Sequence, residues 1–465
     1  MSARSTVSTS MFVLGIGLVG LAAALYVFPP ADSRPRGSME DVLAFRDRDD
    51  TNVLFILVDT LRADRLSTYG YERDTSPNLD ALAETGIRFA RHVSQSSWTK
   101  CSMASLWTSV YPARNGVLRT QHVVPSEAQM PAEIFREAGL RTAGIWRNGW
   151  IAANFGFAQG FEVYQKPPPA TLPRAKRREH PHLTLAGSDA DIVRSALAFL
   201  RAHGHERWFL YVHLMDVHQY VSSEDEAIFG TGYSDIYDNS IRWVDRLIGE
   251  LIDELEARGL RERTLVVFAS DHGEAFGEHG GEGHARNVYG EVTETPWILG
   301  FPFRIDPGIV VRERSENVDL WPTVLELVGL PPRPDVDGRS LVSSIAAAAR
   351  GEETRADDEL AFAQLDQTWG QTARRPQPQL AVNRGKWRLI YPQAHPERSE
   401  LYDKTLDPRE QRDLVDANPQ VAAQLVAIAD THLENREPPW GSEAPTVEID
   451  EQQLEQLRAL GYGVE

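Results

Sequence analysis

Four short apolar runs recur along the chain, and each is rich in β-branched or aromatic residues with almost no polar alternation. They lie at residues 52–58, 141–146, 208–214 and 264–270. Unalternated runs of this length are typical of strands that are covered on both faces. The pattern therefore predicts the central strands of a buried sheet.

Segments with helical periodicity lie between these runs, at residues 77–83, 131–138, 188–202 and 233–258. Ser188 and Asp191 have capping-box spacing at the start of the third segment. Gly139 and Gly259 follow the second and fourth segments, where helices commonly end. Alternation of this kind predicts an α/β sandwich around a mixed, mostly parallel sheet.

The pattern changes after about residue 345. An alanine-rich stretch at residues 343–358 predicts a helix that runs into a linker, and residues 380–392 predict two strands joined at Asn383-Arg384-Gly385. We therefore expect a catalytic domain at residues 50–350 and a small C-terminal α+β subdomain at residues 360–465.

The N-terminal region contains an uncharged apolar segment at residues 11–28, between a tail at residues 1–10 and a linker at residues 29–49. Its length is at the short limit for a transmembrane helix. Ala22-Ala23-Ala24 also fits the cleavage pattern of an export signal. Both interpretations put the rest of the chain outside the inner membrane, as a single-pass protein or a released one, in the periplasm or outside the cell.

Composition narrows the function classes. The 48 Lys and Arg residues stand against 67 Asp and Glu residues, a net charge of −19, which argues against a nucleic-acid partner. The single cysteine, Cys101, excludes an intrachain disulfide and any multi-cysteine metal site. The basic, proline-rich segment 166–182 predicts a solvated loop, with an anion-guiding rim as the alternative.

Polar residues follow the predicted strands. Asp59 ends the first run and Asp271-His272 end the last, while His213 and His218 belong to the third. Ligands bind beyond the carboxyl ends of strands in open α/β sheets, and carboxylates with imidazoles suit a divalent cation. Taken alone, Asp59 equally fits a turn or cap. The glycine-rich stretch after Asp271, with its further histidines, equally fits a flexible loop.

A nucleophile is predicted within residues 96–117, where hydroxyl residues alternate with apolar ones and a helix is expected to begin near Ser102. A hydroxyl at a helix N-terminus can meet an anion, and a bound metal would lower its pKa. Position alone leaves Thr99, Cys101 and Ser102 as candidates.

Together these stretches resemble the sulfatase family of the alkaline phosphatase superfamily. The resemblance is carried by NVLFILVDTLRADRLSTYGYERDTSPNLDALAETGIRFARHVSQSSWT, SDHGEAFGEHG, VDLWPTVLELVGL followed by DGRSL, and SELYDKTLDPREQRDLV. It covers about residues 50–415. It implies an alkaline-phosphatase-like three-layer sandwich and a metal-dependent hydrolase of sulfate or phosphate esters.

The family pattern places the nucleophile, a Cys or Ser oxidised to formylglycine, ahead of a Leu-x-Thr-Gly element. Alignment on Leu106, Thr108 and Ser109 puts this position on Thr99 and the family proline on Cys101. Threonine is not the formylglycine precursor. A threonine at this position resembles instead the pattern of the phosphoryl-transfer members of the superfamily, which include nucleotide pyrophosphatases and membrane-anchored phosphoethanolamine transferases.

That resemblance implies a site for one divalent metal ion, zinc, manganese or calcium. Its ligands would be Asp59, Thr99, Asp271 and His272. Thr99 would be the catalytic nucleophile. His284, thirteen residues beyond Asp271, and His218, from the pair it forms with His213, would be the other catalytic residues.

The implied substrate is an anionic ester, namely a sulfated or phosphorylated glycan, lipid or small molecule. The N-terminal segment would make the membrane a second partner. Two alternatives remain: a phosphoethanolamine-type phosphotransferase of the cell envelope, and a catalytically inactive relative that binds anionic glycans.

Overall fold

The computed structural model describes residues 32–169, 187–352, 359–366, 377–449 and 454. By its internal contacts the chain divides into residues 1–36 and 37–465, and the fold below is that of the second unit. The membrane or signal segment predicted at residues 11–28 lies outside the described residues. Within the described ranges, no helix has the length and apolar character that a bilayer crossing requires.

An eight-stranded sheet forms the centre of the second unit. The order across it is β8-β2-β7-β6-β1-β5-β3-β4, and β7 runs antiparallel to both of its neighbours whereas the other pairs are parallel. The prediction of a mixed, mostly parallel sheet is confirmed. The strands are β1 (Asn52–Val58), β2 (Ile87–Phe89), β3 (Arg141–Ile145), β4 (Val163–Gln165), β5 (Trp208–Leu214), β6 (Thr264–Ser270), β7 (Trp297–Gly300) and β8 (Ile309–Val311).

Helices cover both faces of this sheet. On one face Phe55 of β1 packs edge-on against Trp107 and Trp321, with ring centroids 5.7 and 5.1 Å away. Ile56, the next residue of β1, points into the core on the opposite face. Two apolar cores on either side of one sheet make a three-layer sandwich. The helices are α1 (Met39–Ala44), α2 (Pro77–Glu84), α3 (Thr99–Thr108), α4 (Pro112–Asn115), α5 (Pro131–Glu137), α6 (Asp189–His203), α7 (Tyr233–Ala257), α8 (Gly290–Thr293), α9 (Leu320–Leu327), α10 (Val342–Ala349) and α11 (Pro419–Glu434).

Local signals set the ends of the predicted helices to within one residue. The Ser188 backbone N–H donates to Asp191 Oδ2 at 2.9 Å, which is the expected capping interaction before α6. Gly139 after α5 and Gly259 after α7 have φ of +82° and +64°, a left-handed conformation that glycine adopts without strain.

Helix α3 begins earlier than the sequence predicted. Trp98 is extended (φ −135°, ψ 128°) and precedes the helix. The Ser102 N–H donates to the Trp98 carbonyl at 2.9 Å, and this bond closes the first turn from Thr99 onward. Thr99, rather than Ser102, is therefore the first helical residue.

A second, antiparallel sheet follows in the C-terminal region, in the order β9-β10-β11-β12. The two strands predicted around Asn383-Arg384-Gly385 are present as β10 and β11, and α11 packs on this sheet through Leu425 and Ala429. Parts of the predicted linker (residues 353–358) and basic loop (residues 170–182) lie outside the described residues. The strands are β9 (Leu360–Leu365), β10 (Gln379–Arg384), β11 (Trp387–Pro392) and β12 (Glu400–Asp403).

Candidate active site

Two carboxylates meet where the central strands end. Val58 of β1 pairs with Ser270 of β6 in parallel register, so the next residues, Asp59 and Asp271, leave the sheet side by side. The backbone then turns at Thr60, whose left-handed φ of +61° accompanies an N–H bond to Asp271 Oδ1 at 3.1 Å. Strand register therefore positions both carboxylates.

Asp59, Asp271 and His272 form a buried group whose ligand atoms lie within 4.8 Å of one another. Asp59 Oδ1 and Asp271 Oδ2 are buried without a hydrogen-bond partner among the described residues. His272 Nδ1 lies 3.0 Å from the Gly273 carbonyl, so Nδ1 carries the proton and Nε2 keeps its lone pair. Two carboxylate oxygens and an imidazole nitrogen that converge in this way fit a divalent cation.

The three nucleophile candidates have different surroundings. Thr99 Oγ1 lies 3.1 Å from His272 Nε2, which puts it beside the candidate metal ligands. Ser102 Oγ donates to the backbone carbonyl of Asp271 at 2.5 Å. Cys101 belongs to the apolar core, and burial raises the pKa of its thiol to about 12. Of the three candidates, Thr99 is therefore the one whose hydroxyl contacts the side chain of a candidate metal ligand.

His218 and His284 line the same site. The His284 ring centroid lies 4.6 Å from that of His272 and 4.9 Å from that of His218. His284 Nδ1 is 3.4 Å from both carboxylate oxygens of Glu274. Burial lowers the pKa of His218 to about 3. Burial also acts to lower the pKa of His284, but the charge and hydrogen bond of Glu274 together with the charge on Asp59 outweigh it and raise that pKa.

His213 has a different place from His218. Its Nε2 is 3.0 Å from Asp59 Oδ2, and its Nδ1 is 2.6 Å from the Tyr211 hydroxyl. His213 thus forms a hydrogen bond to the candidate metal ligand Asp59. Of the two histidines five residues apart, His218 is the one beside His284.

Asn148 is a site residue that sequence reasoning missed. Its Nδ2 donates to Asp59 Oδ2 at 2.6 Å and lies 3.5 Å from Thr99 Oγ1. It follows β3, which ends at Ile145, so the rule that selected polar residues after strands applied here too. Glu274, the partner of His284, was also missed, although it lies two residues beyond His272.

Arg147, the neighbour of Asn148, anchors the loop that carries His218. Its buried guanidinium forms ion pairs with Asp189, at 3.1 Å, and with Asp216. Asp189 in turn accepts the N–H groups of Met215 and Asp216 at 2.6–2.8 Å. This network connects the end of β3 to the residues after β5.

A second group of potential ligands, His279, Glu291 and Glu410, lies outside this site. Glu410 already pairs with Lys404 at 2.7 Å and with Arg388 at 3.4 Å. His279 Nδ1 bonds directly to Glu291 at 2.7 Å. Because protein cations already neutralise these carboxylates, this group does not fit a metal ion.

Comparison with known proteins identifies the family of this chain. A sulfatase family model matches residues 51–330, more than half of the chain. The chain belongs to the sulfatase family. A second family model, N-sulphoglucosamine sulphohydrolase, C-terminal, matches residues 277–436 of this sulfatase-family protein.

Individual relatives are distant. Human N-acetylgalactosamine-6-sulfatase is 25% identical over 343 residues, which cover 63% of this chain and 65% of the human protein. The chain thus spans slightly less than two thirds of that relative's length. Among solved structures, a 2-O GAG sulfatase has a TM-score of 0.69 at 17% identity, with 85% of this chain and 98% of that chain covered. The phosphonate monoester hydrolase of Agrobacterium radiobacter has a TM-score of 0.64 at 19% identity, with 83% and 95% covered. These two structures establish the shared fold, and family members generally use a divalent metal ion.

Proposed function

We propose that this protein is a metal-dependent hydrolase of sulfate or phosphate esters with Thr99 as its nucleophile. The observation that carries the proposal is the contact of Thr99 Oγ1 with His272 Nε2 at 3.1 Å, beside Asp59 and Asp271. A hydroxyl next to a buried set of cation ligands is the arrangement that covalent catalysis on an anionic ester requires.

The cation would be held by Asp59, Asp271, His272 and Thr99, with zinc, manganese and calcium as candidates. When bound, it would lower the pKa of the Thr99 hydroxyl and neutralise charge on the ester. The two buried oxygens of Asp59 and Asp271 described above support this fit.

The residues of the chain divide the remaining chemistry between them. Thr99 Oγ1, after losing its proton to solvent, attacks the sulfur or phosphorus atom in line as the bond to the leaving oxygen breaks. His284, stabilised as an imidazolium by Glu274, gives its proton to that oxygen. Water then attacks the sulfur or phosphorus atom and gives a proton back to His284 as the bond to Thr99 Oγ1 breaks. Sulfate or phosphate is released, and Thr99 Oγ1 takes back a proton from solvent.

We propose sulfated glycans as the first substrates to examine, because the human relative is named as an N-acetylgalactosamine-6-sulfatase. Phosphorus esters belong in the same test because a phosphonate monoester hydrolase shares the fold. Export and a single-pass membrane anchor also belong to the proposal. They rest on the uncharged segment at residues 11–28.

The test is a panel of aryl sulfates, phosphate monoesters, phosphate diesters and phosphonates, each assayed with zinc, manganese or calcium. Thr99→Ala should lose turnover and keep its bound metal, because the other three ligands remain. Cys101→Ser is the matched control and should stay active. A fully active Thr99→Ala would refute the nucleophile, and an active-site metal content of zero would favour an inactive glycan-binding relative.

A further inference from the structure

Tyr211 and His213 lie on the same face of β5, two residues apart and directly beside β1. The Tyr211 hydroxyl is 2.6 Å from His213 Nδ1, and His213 Nε2 is 3.0 Å from Asp59 Oδ2. All three side chains are fully buried. A continuous series of hydrogen bonds therefore connects Tyr211 in the core, through His213, to the candidate metal ligand Asp59.

The direction of each hydrogen bond follows from the chemistry of its ends. The Asp59 carboxylate only accepts, so His213 Nε2 carries a proton and donates it. His213 Nδ1 is then the acceptor, and it receives the Tyr211 O–H. With one ring nitrogen protonated and the other engaged by Tyr211, His213 has no lone pair to offer a cation.

These hydrogen bonds leave the two oxygens of Asp59 with different contacts. Oδ2 accepts from His213 Nε2 and also from Asn148 Nδ2, at 2.6 Å. Oδ1 lies 3.9 Å from His272 Nε2, which is itself 3.4 Å from Asp271 Oδ2. The carboxylate is thus held with one oxygen turned toward the candidate ligands.

Aromatic packing holds Tyr211, the first residue of this hydrogen-bond series, in place. The Tyr211 ring stacks on Phe55 with centroids 5.4 Å apart and meets Trp107 edge-on at 5.0 Å. Trp107 belongs to α3, the helix that begins at Thr99. The same aromatic contacts therefore fix both the tyrosine and the helix that carries the proposed nucleophile.

We propose that Tyr211 and His213 are positioning residues that present Asp59 Oδ1 to the metal ion. This inference rests on the metal-dependent function proposed above. Partners that hydrogen-bond to a metal ligand fix its orientation, and their loss typically weakens metal affinity by roughly 10- to 100-fold.

The test compares metal affinity in folded variants, with Zn²⁺ and Mn²⁺ alone titrated in chelator-buffered solutions. His213→Leu should weaken binding roughly 10- to 100-fold, because Asp59 Oδ2 loses its donor. His213→Gln should recover most of that affinity, since its amide N–H replaces the Nε2 proton. Tyr211→Phe should fall between the two, because it removes only the group that fixes the His213 tautomer.

Tyr391→Phe is the matched control. It removes a phenol hydroxyl that donates to Asp430 at 2.6 Å in the C-terminal region. It should leave metal affinity unchanged. At saturating metal, His213→Leu should regain most of its kcat, a recovery that general damage to the fold would not produce.

The outcomes separate this inference from the proposed function. A wild-type protein that binds no stoichiometric metal would defeat both. If the wild-type protein binds metal and hydrolyses esters but His213→Leu binds metal with unchanged affinity, only the positioning role of Tyr211 and His213 would be overturned. If His213→Leu does not fold, unchanged affinity in Tyr211→Phe would overturn it equally.

Discussion

At the scale of single residues, Asp59 and Asp271 define what the site requires. Burial and the charge on Asp59 raise the pKa of Asp271 well above its usual value. For Asp59 the cost of burial is outweighed by the His213 hydrogen bond and nearby imidazoles, and its pKa is lowered. A divalent cation between them would keep both carboxylates ionised, because a nearby positive charge favours the charged form.

The same scale yields a prediction for His284. If its imidazolium protonates the leaving oxygen, His284→Ala should reduce turnover of alkyl esters by about 10²- to 10⁴-fold and of nitrophenyl esters far less. Nitrophenolate departs without a proton, whereas an alkoxide does not. Rates measured over a series of leaving groups check this, with His218→Ala as the comparison. An equal loss on every ester would assign His284 to substrate binding instead.

At the scale of elements, the site depends on where strands and helices begin and end. The start of α3 at Thr99 brings its hydroxyl to His272, and the parallel register of β1 and β6 brings two carboxylates together. Arg147 then connects the end of β3 to the loop after β5 through Asp189 and Asp216. The site thus depends on five separate elements, namely α3, β1, β3, β5 and β6.

Arg147→Met tests that connection. The substitution leaves Asp189 and Asp216 buried without their guanidinium partner, which should lower the free energy of unfolding by about 3–5 kcal/mol. Urea titration followed by tryptophan fluorescence measures the change. Arg350→Met, which removes an exposed pair with Glu352, is the matched control and should change the free energy of unfolding far less. Equal effects of the two variants would contradict the structural role of Arg147.

At the scale of the whole molecule, the candidate ligands come from distant parts of the chain. Asp59 and the Asp271-His272 pair are separated by more than 200 residues but share one buried site. A cation that binds only the folded arrangement therefore stabilises the entire sandwich by mass action.

Removal of metal should consequently destabilise the protein. At a free metal concentration of 100 times Kd, binding contributes about 2.7 kcal/mol to the free energy of unfolding. A chelator should shift the urea midpoint of the wild type downward by a corresponding amount. In Asp59→Ala, which lacks a ligand, the chelator should have much less effect. Identical wild-type midpoints with and without chelator would argue against a metal at this site.

The sequence by itself predicted the strands β1, β3, β5 and β6 and the helices α2, α5, α6 and α7 to within one residue. It also singled out Asp59 and Asp271 as candidate ligands. These features are encoded locally, in apolar runs, caps and the polar residues that follow them. The resemblance to the family implied Thr99 as the nucleophile and His218 and His284 as further catalytic residues. Local pattern did not indicate the short strands β2, β4, β7 and β8, and it missed Asn148 and Glu274. It also misjudged the start of α3, because the bond from Ser102 to Trp98 that closes its first turn has no distinct sequence signal.

Only the tertiary structure decided how these residues act on one another. His213 and Asn148 both donate to Asp59 Oδ2, although they lie 154 and 89 positions away from it. Their convergence depends on the strand order β1-β5-β3, which no local pattern states. Hydropathy records which side chains are buried, whereas hydrogen-bond partners are set by the distances and directions that the folded backbone creates.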